Sequence, residues 1–247
     1  MRIEKDSMGE MSVPSNVYYG AQTQRAFENF PVSDLKIPKP LIKALGIIKK
    51  SAAVVNHKLG YLTNDIKDAI VKASDEVING KFDDQFIVDI FQTGSGTSSN
   101  MNTNEIIANR ASEILGGNIG DRFPVHPNDH VNFGQSSNDV FPTAIHISSN
   151  MEVENSLIPA LEKLSKSLTN KVNEFEQVLK IGRTHLQDAT PITLGQEFSG
   201  YKKMIDKSIL RLKKAQSPLA ELAQGGTAVG TGINTHMQFG ELIALEI

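Results

Sequence analysis

The sequence predicts a mainly α-helical protein: an N-terminal helical domain over residues 1–134, then, over 135–247, the first part of a long central helical bundle. Three observations carry this. Apolar side chains recur three or four residues apart at Leu41, Leu45, Ile48, Ala52 and Val55, the spacing of one helix face. The same spacing runs far longer through Leu194, Phe198, Tyr201, Ile205, Ile209, Leu212, Ala215, Leu219 and Leu222, which indicates a helix packed in a bundle. Glycines stand at the ends of the helical patterns, at Gly60, Gly80 and Gly116-Gly117.

Residues 1–38 read as irregular, punctuated by Pro14, Pro31, Pro38, Gly9 and Gly20. Pro40 suits a first helical turn. The first helix runs to Leu59, and Asn64 is placed to cap a second that ends near Asn79. The apolar run Phe86–Phe91 fits a strand or a buried helix equally well. A helix follows from about Ser99 to Leu115. Residues 118–135 are loop-like, and a helical tract from Gln135 toward Leu179 is divided near Pro159. Pro218 is expected to kink the long seam. A glycine-rich connection spans Gly225–Gly232, and a last helix opens near Thr235. No cap or breaker marks an end at Ile247, so the pattern reads as truncated there.

Composition narrows the function classes. The 247 residues are 39% hydrophobic and 21% charged, the balance of a soluble globular protein. A net charge of −3 gives no pull toward nucleic acid or anionic membrane, and the absence of tryptophan removes a stacking platform. No apolar run approaches the ~20 residues of a membrane span, and the N-terminus lacks a signal peptide's apolar core, so the expected location is cytoplasmic. Without cysteine there are no disulfides and no thiolate metal site.

Polar islands interrupt the helices. Gln92–Asn100 and Gln135–Asp139 each put hydroxyl and amide side chains at a helix start: Ser95, Gly96 and Thr97 in one, Ser136, Ser137 and Asn138 in the other. The first N–H groups of a helix lack internal partners and carry partial positive charge, so such a start can seat a carboxylate or phosphate. Plain N-capping accounts for the same residues. The first island has no lysine after its glycines and is no P-loop, and Ser99 stands where a dinucleotide fingerprint needs its third glycine. His126, Asp129 and His130 have i, i+4 spacing for a metal, but Pro127 and Asn128 favour a turn and no HExxH glutamate is present. No Gly-x-Ser-x-Gly elbow supports a serine hydrolase. The third polar stretch, Lys180–Gln196, holds Thr184 and His185 among guanidinium, amide and carboxylate groups, a setting for proton transfer. The set suits proton abstraction beside a carboxylate, with donors stabilising the carbanion.

The segments Gly94-Ser95-Gly96-Thr97 with Asn100-Met101-Asn102, His126-Pro127-Asn128-Asp129, Gln135-Ser136-Ser137-Asn138-Asp139 and Gly182–Pro191 occur in the order of the fumarase/aspartase superfamily. The match runs from about Asp6 to Gly232, and the chain closely resembles the class II, metal-independent fumarases. Thr184-His185 and Ser136-Ser137 favour them over aspartases, which typically have Gln and Thr at the places of His185 and Ser137; an aspartate ammonia-lyase is the alternative. The resemblance implies hydration of fumarate to (S)-malate in the tricarboxylic acid cycle, with no cofactor and no metal. It implies that Ser95, Gly96, Thr97, Ser136, Ser137, Asn138 and Thr184 hold substrate, with His185 as the catalytic histidine. His126, Pro127, Asn128 and Asp129 match a secondary dicarboxylate site, where Phe123 replaces the customary basic residue beside Arg122. It further implies a homotetramer with shared active sites. The family's Gly-Ser-Ser loop, whose serine takes the carbon-bound proton, and the glutamate that pairs with the histidine are missing from these residues, which leaves a catalytically incomplete fragment with an assembly role as the competing expectation.

Overall fold

The computed structural model describes residues 1–247 and is mainly helical, as expected, with two short antiparallel hairpins. The chain forms two compact units, Met1–Ser148 with Leu222–Ile247, and Ser149–Glu221. This division differs from the expected 1–134 and 135–247. The first half of the helix after Gln135 buries Asp139, Val140, Thr143, Ala144 and Ile147, and the chain returns to the first unit from Leu222.

The first unit begins with β1 (Arg2–Asp6) and β2 (Gly9–Val13), paired so that Arg2 faces Val13 and Asp6 faces Gly9. The helix α1 (Ala21–Asn29) follows. An irregular stretch was expected here, and the reason for the miss is physical. The buried side chains of β1 are Glu4 and Asp6, not apolar residues, so no hydrophobic alternation marks the strand. Arg25 holds Asp6 through two bonds of 2.8 and 2.9 Å. Arg2 donates to Glu4 and to the carbonyls of Pro14, Val17 and Tyr19. The start of α1 is capped from afar: Glu105 accepts from the N–H groups of Gly20, Gln22 and Thr23 and from the Thr23 hydroxyl, and Glu4 accepts from the Ala21 N–H.

The core is a layer of α2 (Lys39–Lys58), α3 (Asn64–Ile78), α4 (Thr97–Ile114) and the buried part of α5 (Ser137–Glu152). Leu45, Ile48, Ile70, Ile106 and Ile107 are fully enclosed. Thr63, rather than Asn64, caps α3, by accepting from the Ile66 N–H. The Phe86–Phe91 run is neither strand nor helix; it buries Phe86 and Val88 and makes one isolated bridge, Lys36 to Asp89. Residues 127–131 form a single π turn. The last helix, α8 (Phe239–Glu246), starts later than Thr235 and packs Phe239 and Ile243 on Ala52 and Val55 of α2.

In the second unit the tract after α5 passes through a π turn at 153–157 into α6 (Ile158–Glu174), so the break falls just before Pro159, whose ring suits a first helical turn. The tract then ends at Glu174 instead of continuing to Leu179. The polar stretch 180–196 is a hairpin, β3 (Leu179–Thr184) with β4 (Gln187–Thr193), turned by His185 and Leu186 at φ +49 and +63. α7 (Leu194–Leu219) follows, with Thr193 and Gln196 closing a reciprocal capping box. Pro218 sits in its last turn and ends the helix rather than kinking it. α6 and α7 pack against each other, with Phe175 edge-on to Phe198 at 5.4 Å.

Candidate functional site

Two expected islands meet in the first unit. Gly96 has φ +75, and a side chain there would stand 2.3 Å from the Phe141 ring of α5, so only glycine lets the start of α4 approach α5 this closely. Across that contact the Asn100 amide donates to the Ser137 hydroxyl oxygen at 3.3 Å. Thr97 and Ser95 are exposed and joined in a hydroxyl ladder, Thr93 to Ser95 at 3.2 Å and Ser95 to Thr97 at 3.0 Å. Asn138, also exposed, commits one amide hydrogen to the Ala228 carbonyl at 2.7 Å. Ser95, Gly96, Thr97, Ser136, Ser137 and Asn138 therefore gather around the paired starts of α4 and α5.

The helix starts themselves are less open than expected. Gln92 accepts from the Ser98 and Ser99 N–H groups of α4 through one amide oxygen, at 2.7 and 3.2 Å. On α5 the Ser136 hydroxyl accepts from the Asn138 N–H, and the Asp139 carboxylate accepts from the Ser136 N–H at 2.9 Å. Capping thus occupies much of each first turn, and the hydroxyls of Ser95, Thr97, Ser136 and Ser137 with the Asn138 amide are the side-chain groups there that are chemically able to donate.

Beneath this surface lies a polar layer that sequence reading missed. Lys49 is fully buried and donates to Asn132 at 2.8 Å and Gln135 at 3.1 Å. Burial pushes its amine down to about 7, opposed by the charge of Asp139. Asp139 is itself buried and accepts from the Gly225 and Thr227 N–H groups at 3.0 and 2.9 Å. The glycine-rich connection is thereby held to the start of α5. Gly225 lies so close to Gly240 that a side chain would fall 2.6 Å from its Cα. The signal for Lys49 was present: it sits between Leu45 and Ala52 inside the apolar stripe of α2.

His126, Pro127, Asn128 and Asp129 lie on the π turn. The His126 Nδ1 accepts from the N–H groups of Asn128 and Asp129, and the His130 Nδ1 accepts from the His126 N–H at 2.8 Å. The Asp129 carboxylate also approaches the His126 Nδ1, at 3.1 Å. Burial pushes His130 below its ordinary value. Phe123 is 74% exposed, whereas Arg122 turns partly inward, where its charge bears on Asp6.

Thr184 and His185 belong to the second unit, at the exposed tip of the β3–β4 hairpin. The substrate-holding residues expected from the sequence are therefore divided, six in the first unit and Thr184 in the second, alongside His185.

The family described as Lyase matches residues 9–247. A class II fumarate hydratase of Halobacterium salinarum is 58% identical over 98% of this chain and 52% of its own length. The human mitochondrial fumarate hydratase is 54% identical over all of this chain and 48% of its own. The crystal structure of a recombinant class II fumarase from Schistosoma mansoni superposes with a TM-score of 0.95 at 47% identity, over 98% of this chain and 51% of that one. The chain spans about half the length of the curated relatives it matches.

Proposed function

The chain belongs to the Lyase family, and from that premise we propose that it acts in a class II, metal-independent fumarate hydratase, which interconverts fumarate and (S)-malate. The observation that carries the reading is the junction of α4 and α5, where the Asn100 amide meets the Ser137 hydroxyl and Gly96 lies against the Phe141 ring, with Thr97 and Asn138 exposed at the two helix starts. Fumarate is a dianion without a phosphate, and neutral hydroxyl and amide donors suit its carboxylates. In the malate-forming direction a water oxygen bonds to one alkene carbon and gives a proton to His185. The electron pair of the double bond moves to the other carbon and into its carboxylate, and that carbon then takes a proton from the serine of the family's Gly-Ser-Ser loop, the group that removes it in the reverse direction. Donors aimed at the carboxylate oxygens stabilise the charge as it develops. Thr184, Ser95, Gly96 and Ser136 complete the substrate-holding set, and His126, Asn128 and Asp129 form a secondary dicarboxylate site.

The active enzyme is a homotetramer whose sites are shared between subunits. Two features of the second unit support this. His185 projects from an exposed hairpin tip with no partner for its ring within the chain, and Tyr201, Met204 and Leu210 leave α7 with exposed apolar side chains. Surfaces of that kind mark protein contacts. No helix is long and apolar enough to cross a membrane, and we place the enzyme in the cytoplasm.

The test is His185→Asn in the assembled, full-length enzyme, followed by the ultraviolet absorbance of fumarate. The rate should fall about 10²- to 10⁴-fold, the usual share of a general acid–base group, with the melting temperature unchanged. A near-normal rate refutes the role of His185, and turnover of aspartate with release of ammonia would reassign the chain to an aspartate ammonia-lyase.

A further inference from the structure

The buried layer under Ser137 has an orientation that donor and acceptor arithmetic fixes. The Asn132 amide nitrogen donates to the Gln135 carbonyl at 3.2 Å, and the Gln135 amide nitrogen donates to the Val131 and Phe133 carbonyls at 3.1 and 3.4 Å. A backbone carbonyl can only accept, so both amides must turn their oxygens inward, where Lys49 meets them. The Asn132 oxygen takes a second donor, the Asn100 amide nitrogen, at 3.2 Å. Reversing Asn100 would bring two amide oxygens face to face. Its nitrogen is therefore held toward both Asn132 and Ser137, and its own oxygen is left buried without a partner. A buried acceptor left bare is uncommon and calls for a reason.

We propose that Asn100 is a positioning residue for Ser137, anchored through Asn132 and Lys49. By donating to the Ser137 oxygen from within, it keeps the Ser137 hydroxyl hydrogen free to donate outward to a dicarboxylate. With Asn100 reversed, its oxygen would capture that hydrogen and Ser137 would be lost as a substrate donor. The bare Asn100 oxygen is the cost of preventing this. The inference rests on the reading of Ser137 as a substrate-holding residue, and adds to it the group that sets its donor direction.

A double-mutant cycle on fumarate hydration by the assembled, full-length enzyme tests it, using Asn100→Ala, Ser137→Ala and the pair. Asn100→Ala should lower kcat/KM about tenfold when Ser137 is present, the worth of one hydrogen bond, and cause no further loss in the Ser137→Ala background. Equal losses in both backgrounds, or no loss in either, overturn the proposal. A Ser137→Ala enzyme with unchanged kcat/KM would instead overturn the reading of Ser137 itself. Should Asn100→Ala fail to fold, the same cycle with Asn132→Leu decides, because it removes the anchor and leaves Asn100 in place. Coupling to Ser137 then supports the proposal, and additivity refutes it.

Discussion

Replacing Lys49 with methionine should change how stability depends on pH. Methionine keeps much of the length and removes the charge. Burial pushes the Lys49 amine down to about 7, from the 10.5 of an exposed lysine. Below pH 7 both the folded and the unfolded chain hold the proton, and the folded state bears the full cost of a buried charge. Between 7 and 10.5 the unfolded chain binds more protons than the folded one, so stability rises with pH. At about 1.4 kcal/mol per unit, the whole interval corresponds to about 5 kcal/mol, and the part between pH 7 and pH 9 to about 2 kcal/mol. Lys49→Met also leaves the Gln135 oxygen without its donor, at about 1–3 kcal/mol, but this does not vary with pH. Urea unfolding followed by circular dichroism at pH 7 and pH 9 isolates the titration. The wild type should gain about 2 kcal/mol over the variant between the two. Parallel behaviour would mean that Lys49 keeps an ordinary affinity for its proton, and would refute the reasoning from burial.

Two further outcomes follow from buried acceptors. Burial pushes the Glu105 carboxyl up while four donors pull it back, and Glu105→Gln would set an NH2 against at least one of them. It should cost about 1–3 kcal/mol of stability, read from the shift in urea midpoint; an unchanged midpoint would show that α1 is not capped in this way. His130 is held below its ordinary value, so the unfolded chain takes its proton first as pH falls, and stability drops from about pH 6.5 downward. His130→Asn keeps an acceptor for the His126 N–H and cannot titrate. Its melting temperature should therefore fall less than that of the wild type between pH 7 and pH 5, and equal falls would contradict the assignment.

Helices held by apolar stripes were legible from sequence, as α2 illustrates. What escaped was structure held by polar groups distant along the chain. β1 turns Glu4 and Asp6 inward, and α1 takes its cap from Glu105, eighty-odd residues away. The β3–β4 hairpin escaped because His185 and Leu186, not Asn-Gly, supply its two positive-φ residues. At the site, the sequence marks Ser95, Thr97, Ser137 and Asn138 as polar side chains at two helix starts, and both helices begin there. Their supports lie outside that pattern: Gln92 accepts from the Ser98 and Ser99 N–H groups of α4, and Lys49 donates to Asn132 and Gln135 from within the apolar stripe of α2. The first turns of α4 bury Ser98, Ser99, Asn100, Asn102 and Asn104, a polar run that hydropathy assigns to the surface.

The central claim is that a hydroxyl at the start of α5 holds a dicarboxylate, and Ser137→Ala tests it most directly. Measured as kcat/KM for fumarate in the assembled, full-length enzyme, the substitution should lower the value about 100-fold, the loss typical of one preorganised donor, while the melting temperature stays near that of the wild type. An unaltered kcat/KM would contradict the account.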